Sequence, residues 1–358
     1  MLAQTLDPTI RSHPDYDQHE QVVMCDSADL QAIIAVHNSN LGPATGGCRI
    51  YPYVSGDQAL SDVLRLSRGM TYKSAMADLP LGGGKSVIIA NPATDKSPKL
   101  MLAMGDFIES LQGRYVAAED SGTTVADIGL MAQRTRHVSG CAKNEAFGGD
   151  PSPVTARGVF DGIRVAVSFR GQSDLKGIRV ALQGAGNVGF HLARMLVAAG
   201  ARVIVADTGR DRVQRAVDQL GVSSCSPDEI FSLDVDVFAP CAMGGAVNAR
   251  TVGAIRAGII AGAANNQLES DLVGDILLQR GILYAPDYVI NAGGIIDIYY
   301  QTQGIRDHAR IDGHLQVITR NLELIFAESQ RQGRPTHVIA DELARARFQK
   351  PTGKIATA

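Results

Sequence analysis

Two lysines set the chemical question. Lys73 closes MTYK (70–73), and Lys85 follows three consecutive glycines, Gly82, Gly83 and Gly84, just ahead of the apolar run Val87-Ile88-Ile89. Two cations facing one glycine-lined gap need an anion, a carboxylate or a proton-transfer task. Lys85 therefore reads as a general base, a phosphate-binding lysine, or a surface lysine after a turn. The phosphate reading is weakened by a spacing test. GGGKS imitates the end of G-x-x-x-x-G-K-[ST], yet the first glycine of that motif would fall at Leu79. The segment also runs helix, turn, strand, whereas such a phosphate loop runs strand, turn, helix.

A second glycine cluster is more specific. IRVALQGAGNVGFHLARMLVAAGARVIVADT (178–208) predicts a strand, a glycine turn, a helix and a second strand. Gly184, Gly186 and Gly189 stand in G-x-G-x-x-G order at the first junction, with Asn187 and Val188 inside it. Asp207 ends the second strand, 18 residues after Gly189. Glycines so placed let backbone N–H groups approach a pyrophosphate at a helix N-terminus. An acid ending the second strand accepts bonds from ribose hydroxyls and repels a 2′-phosphate, so NAD is expected rather than NADP. Three more apolar runs, 235–241, 258–265 and 282–290, end in small or polar residues as buried parallel strands do. Ligands of such sheets sit at the strands' carboxyl ends, which places Cys241, Ala242, Asn265, Asn266 and Asn291 near the cofactor. The asparagines suit turn chemistry as well.

The elements that must hold these groups follow from periodicity. QVVMCD (21–26) and LQAIIAVH (30–37) read as a hairpin, and LGPATGGCRIYPY (41–53) as a turn into a short strand. A helix is predicted from Ser55, with capping-box spacing to Gln58, reaching Ala77 and carrying Lys73 near its end. A Gly-rich turn at 82–84 then leads into the strand after Lys85. Residues 97–112 read as a helix, RYVAAED (114–120) as a strand ending in two acids, and Thr124 with Asp127 as another capping box. Alternating strands and helices make the first half a mixed-sheet α/β unit. Residues 137–155 break the rhythm and are the expected inter-domain connection; 156–169 is helical. The expected fold is thus α/β with two domains and a cleft between them. Residues 1–148 form the substrate-binding and assembly domain and 149–332 a Rossmann-type domain. The C-terminal helix, 333–358, is expected to return to the first.

Composition narrows the class. The chain has 358 residues, 45% hydrophobic and 20% charged, with a formal net charge of −3. That length supports two cores, and the charge gives no basic footprint for nucleic acid. No apolar run approaches the ~18 residues of a membrane span, and the N-terminus lacks a secretory apolar region. Five scattered cysteines without C-x-x-C suit a reducing, cytoplasmic setting, and no metal site is expected.

Together these motifs resemble the glutamate/leucine/phenylalanine/valine dehydrogenase family, from about residue 20 to about 345. The carriers are LGPATGG (41–47), RGMTYK (68–73), GGGK (82–85), AED (118–120), GAGNVG (184–189), FAPCAMGG (238–245), GAANNQL (262–268) and YAPDYVINAGG (284–294). The resemblance implies reversible oxidative deamination of an L-amino acid to a 2-oxo acid and ammonia by a homo-oligomer using NAD. It gives Lys73 the substrate carboxylate, with help from the Gly46 backbone. Lys85 becomes the catalytic lysine and Asp120 its acidic partner, while Thr155, Cys241, Ala242 and the asparagines surround the nicotinamide and its ribose. A base at pH 7–9 cannot be an amine at the usual lysine pKa of about 10.4. Burial and neighbouring positive charge favour the neutral amine, and a carboxylate opposes them.

The resemblance also narrows the substrate. Where glutamate enzymes place a lysine for the side-chain carboxylate, this chain has Thr45, so glutamate should be rejected. Ala118, Ile290, Ile295 and Ile296 are the other pocket candidates, all apolar. Leucine, valine and isoleucine are favoured, most like a leucine enzyme, although that group has Leu at position 45. Phenylalanine or tryptophan is the alternative substrate, and an NAD-binding regulatory protein the non-enzyme alternative.

Overall fold

The computed structural model describes residues 8–140, 150–242, 244–305 and 307–349. In chain order the elements begin α1 (Pro8–Arg11), β1 (Gln21–Asp26), β2 (Gln31–Asn38), β3 (Ala44–Tyr51), α2 (Gly56–Met76) and β4 (Gly82–Ile89). There follow α3 (Pro98–Glu109), β5 (Tyr115–Glu119), α4 (Val125–Met131), α5 (Ser152–Phe169), β6 (Arg179–Gln183), α6 (Asn187–Ala198) and β7 (Arg202–Ala206). Then come α7 (Arg210–Leu220), β8 (Ser223–Ser224), β9 (Val237–Pro240), β10 (Ile259–Ile260), α8 (Asp271–Gln279) and β11 (Leu283–Tyr284). The last four are α9 (Asp287–Ile290), α10 (Gly293–Thr302), α11 (His308–Gln332) and α12 (Thr336–Phe348).

The chain divides into two compact units. One holds Met1–Gly149, Tyr299–Arg306 and Ala344–Ala358; the other holds Asp150–Ile298 and Asp307–Leu343. The boundary expected at 148/149 falls within 141–149, outside the described residues. The division runs through α10 and α12, so 333–343 belongs with the second unit and only the end of the last helix with the first. That end is held by Arg345 Nε donating to Tyr72 Oη at 2.7 Å and Arg347 Nη1 donating to Ala75 O at 3.1 Å.

The first unit is a five-stranded mixed sheet in the order β1-β2-β4-β3-β5. β1, β2 and β4 pair antiparallel, while β3 runs parallel to β4 and to β5. Successive side chains of a strand leave opposite faces. Val87 accordingly joins Ile33, Ala35, Val63 and Leu64 beneath α2, and Ile88 joins Met101, Met104, Ile108 and Tyr115 on the other side. The Thr124–Asp127 capping box is closed in both directions. At α2, Ser55 accepts from Gln58 N, but Gln58 Oε1 reaches Val54 N, one residue beyond the box position.

The second unit is a six-stranded parallel sheet in the order β11-β10-β9-β6-β7-β8. Its core gathers Ala181, Phe238, Ile260, Val273, Leu277 and Tyr284. No described helix is long and apolar enough to cross a membrane.

Three local expectations are corrected. The glycines at 82–84 form no turn; they open the central strand β4. The run at 282–290 is strand only at Leu283–Tyr284, after which Pro286 leads into α9. The helix expected from 156 starts at Ser152, because Pro153 suits the first turn, where no N–H is needed.

Candidate active site

The first unit assembles its chemistry on three adjacent strands. β3 and β4 pair with Thr45 opposite Gly83 and Cys48 opposite Ser86, so Gly47 comes opposite Lys85. Across the other edge of β3, Gly47 pairs with Ala118. Ala44, Cys48, Ile50, Ile88, Tyr115 and Ala117 face the α3 side. By alternation Thr45, Gly47, Arg49, Lys85 and Ala118 share the opposite face. GPATGG, GGGK and AED, separate in sequence, become neighbouring rows of one surface.

Glycine decides how closely those rows approach. A Cβ added at Gly47 would lie 2.6 Å from Asp120 Cβ, and one at Gly46 would lie 1.8 Å from Gly84 O. At Gly83 it would meet Thr71 N and Oγ1 at 2.1 Å, and at Gly84 the Tyr115 ring at 2.7 Å. The glycines before Lys85 therefore make room for α2 and Tyr115.

Lys85 is 6% exposed, and its Nζ lies 2.6 Å from Asp120 Oδ2. The same oxygen accepts from Arg49 Nε at 3.3 Å. Arg49 Nη1 donates to Asp62 Oδ2 at 2.9 Å, and Tyr53 Oη donates to that oxygen at 2.5 Å. Burial pushes the Asp120 carboxyl up, but the charges of Lys85 and Arg49 and the bonds it accepts outweigh this, holding it below its ordinary value. Asp120 is thus an ionised carboxylate shared by two cations. Its backbone is fixed by Asp120 N donating to Thr123 Oγ1 at 2.9 Å. Behind the site Tyr115 Oη donates to Gly46 O at 2.7 Å, and burial raises the Cys48 thiol to about 12, leaving it neutral and structural.

Lys73 is half-buried on the last turns of α2, two residues after Thr71, which lies against Gly83. Thr45 is half-buried and its hydroxyl donates to Pro43 O at 3.2 Å. Ala118 is also half-buried.

In the second unit the glycine turn is built for close approach. Gly184 has φ +99°, and a Cβ there would lie 2.8 Å from Ala242 N. At Gly189 it would lie 1.9 Å from Gly184 O, which fixes how tightly α6 packs on the turn. Gly186, the residue before α6, has open space where a Cβ would stand. Asn187 is exposed and Val188 half-buried beside it. The three glycines do different jobs, and of them Gly186 is the one with open space before it. Asp207 is more engaged than expected. Its Oδ2 accepts from Ala185 N at 2.8 Å, and its Oδ1 from Gly209 N at 2.7 Å and Arg212 Nη2 at 2.6 Å. Arg212 Nε also donates to Oδ1 at 3.0 Å, so Oδ1 is fully taken up and Oδ2, which accepts one bond, carries the position left for a ribose hydroxyl.

The carboxyl ends of β9 and β10 complete this half. Gly262 lies against Pro240, and Gly245 N donates to Asn266 O at 2.7 Å. Asn266 adopts φ +49°, a conformation asparagine tolerates. Asn291 is 5% exposed; its Nδ2 donates to Asn265 Oδ1 at 2.8 Å and Ala263 O at 3.1 Å, while its buried Oδ1 has no hydrogen-bond partner among the described residues. An orphaned buried acceptor calls for a donor, and a nicotinamide carboxamide carries one. Thr155 bonds to Pro151 O at 3.0 Å and lies beside Gly294. Ile295 is half-buried and Ile296 fully buried. The Ile290 side chain is fully buried and fills the space a Cβ on Gly162 would take, so it packs α9 on α5.

Comparison with known proteins gives the family. The sequence model described as Glu/Leu/Phe/Val dehydrogenase, dimerisation domain, matches residues 19–137, and that described as Glutamate/Leucine/Phenylalanine/Valine dehydrogenase matches 205–348. The chain belongs to the Glu/Leu/Phe/Val dehydrogenase family. Among relatives, leucine dehydrogenase of Geobacillus stearothermophilus is 46% identical, covering 93% of this chain and 91% of that protein. Valine dehydrogenase of Streptomyces coelicolor is 43% identical, with 94% of both chains covered. The crystal structure of L-tryptophan dehydrogenase from Nostoc punctiforme superposes with a TM-score of 0.83 at 44% identity, covering 96% of this chain and 98% of that one. This Glu/Leu/Phe/Val dehydrogenase is an amino-acid dehydrogenase. Its sequence also carried residues that motif reading passed over. Gly47 and Arg49 sit two apart in GGCR, and Arg212 follows Asp207 by five. Alternation along β3 was the available signal for the first two.

Proposed function

We propose that the chain catalyses NAD-dependent, reversible oxidative deamination of an apolar L-amino acid, with leucine, valine and isoleucine favoured. The carrying observation is the buried Lys85–Asp120 pair, 2.6 Å apart on the face that also presents Thr45 and Ala118. Residues 1–148 act as the substrate and assembly half and 149–332 as the dinucleotide half. Gly184, Gly186 and Gly189 with the α6 N-terminus would hold the pyrophosphate, Asp207 the ribose, and Asn291 the carboxamide. The bound dinucleotide supplies the acceptor for the hydrogen leaving the substrate Cα. Lys73 holds the substrate carboxylate with help from the Gly46 backbone. Lys85, when neutral, takes a proton from the water that attacks the substrate iminium carbon. Asp120, already ionised, then stabilises the ammonium so formed. Thr45 supplies no charge for a second carboxylate, so glutamate is excluded.

Tryptophan or phenylalanine is the second reading. It is favoured by the fold match to the tryptophan enzyme and by Thr45, smaller than leucine. The protein is expected to work in the cytoplasm as a homo-oligomer. NADH consumption with ammonia and a panel of 2-oxo acids tests the assignment. Turnover should be highest with 4-methyl-2-oxopentanoate or 3-methyl-2-oxobutanoate. Highest turnover with phenylpyruvate or indolepyruvate selects the second reading, and no turnover with any of them overturns both.

A further inference from the structure

The Lys85–Asp120 pair does not stand alone. Five polar groups from four stretches of chain form one continuous network: Lys85 Nζ to Asp120 Oδ2, Asp120 to Arg49 Nε, Arg49 Nη1 to Asp62 Oδ2, and Asp62 to Tyr53 Oη. Arg49 is on β3, two residues past Gly47, and Asp62 is on α2. The Arg49 side chain is 25% exposed and that of Asp120 is 20% exposed, so solvent screens this network less than it would a surface pair.

We propose that Arg49 is a positioning residue that shares the Asp120 carboxylate with Lys85 and so sets the pH range in which Lys85 can accept a proton. The proposal rests on the assignment of Lys85 as the proton acceptor. Lys85 and Arg49 meet the same oxygen, Asp120 Oδ2. A permanent guanidinium on that oxygen competes with the lysine ammonium for it. Each cation therefore weakens the other's hold, and the neutral form of the amine becomes easier to reach. Asp62 acts in the opposite sense. It draws Arg49 toward α2 and adds a negative charge, and Tyr53 orients it by donating a hydrogen bond. The charged and titratable groups around the network are Lys85 on β4, Arg49 on β3, Tyr53 after β3, Asp62 on α2 and Asp120 after β5. Lys73 lies further along α2, while the Cys48 thiol and the Tyr115 hydroxyl couple to Asp120 from the other face of the sheet.

The test is the pH profile of kcat/KM for deamination of L-leucine, whose acid limb reports the essential base of the free enzyme. In Arg49→Met, Asp120 serves Lys85 alone, and the limb should move to higher pH by about half a unit or more. In Asp62→Asn a negative charge is lost and Arg49 leans fully on Asp120, so the limb should move to lower pH. Arg49→Lys should bring the limb back toward wild type. Loss of packing lowers kcat without moving limbs in opposite directions. If Arg49→Met does not fold, judged by its melting transition and NADH binding, the direction of the Asp62→Asn shift decides. An unmoved limb, or both variants shifting the same way, overturns the proposal. Absence of wild-type turnover on every apolar substrate instead overturns the functional assignment beneath it.

Discussion

Lys85 and Asp120 act as a unit because a side chain is missing between them. Gly47 stands opposite Lys85, and a methyl group there would press on Asp120 Cβ at 2.6 Å. Gly47→Ala is therefore expected to lower kcat by about tenfold or more, as small displacements of reacting groups do, with NADH affinity unchanged. Lys85→Ala should remove deamination altogether, with NADH binding retained when titrated by fluorescence. More than a few per cent of wild-type kcat in that variant would contradict the role given to Lys85. The glycine–lysine motif, the AED acid and the dinucleotide glycines were legible in the sequence because their residue types are unusual for their surroundings. Arg49 was not. An arginine in a strand looks like a solvated one until β5 brings Asp120 beside it. Ile290 shows the converse limit, since an apolar residue near a motif reads alike whether it lines a pocket or fills a core.

At the scale of elements, α2 is the part whose placement matters most, since it carries Lys73 and Asp62. It is anchored from its side by His19, whose Nε2 lies 3.1 Å from Leu64 O and 3.0 Å from Ser67 Oγ, and by His37, whose Nδ1 lies 2.8 Å from Thr71 Oγ1. Burial, aided by the neighbouring His37, lowers His19 from its ordinary 6.5 to about 4. A histidine depressed in the native state stays neutral there while the unfolded chain takes up a proton. Its contribution is complete above pH 6.5 and is lost as pH falls toward about 4. The loss amounts to about 3 kcal/mol at most. The chain has no tryptophan, so melting at pH 8 and pH 5 would be followed by circular dichroism. The midpoint should fall at pH 5, and His19→Gln should flatten that fall; an equally steep fall in the variant would remove His19 from the account. Period and caps reveal α2 in the sequence, because Ser55 and the Leu60, Val63, Leu64 stripe are local signals. The same locality hid the true state of 82–84. Three glycines look like a turn, and only the neighbours crowding them show why a strand needs them.

For the whole molecule, the two units correspond to two sequence rhythms, one opening with a hairpin and one of parallel strands. Their division was less legible than their existence. Tyr299–Arg306 joins the first unit through long-range packing that no local pattern encodes. Ligand linkage offers a global measurement. NADH at a hundred times its Kd should stabilise the protein by about 2.7 kcal/mol, raising the melting midpoint. Gly189→Val, whose Cβ would fall 1.9 Å from Gly184 O, should abolish that rise. A rise that persists in the variant would place the dinucleotide elsewhere.

The position of β4 has a consequence for how such a chain can diversify. Lys85 sits on the middle strand of a five-stranded sheet, hemmed by glycines that tolerate no methyl group. Drift or laboratory selection can therefore hardly adjust that strand. Thr45 on β3 and Ala118 on the edge strand β5, half-exposed on the same face, are freer to vary. Libraries aimed at a new amino acid would do best to hold residues 82–88 constant and randomise those two positions, so that the appetite of the enzyme changes while its proton chemistry is inherited intact.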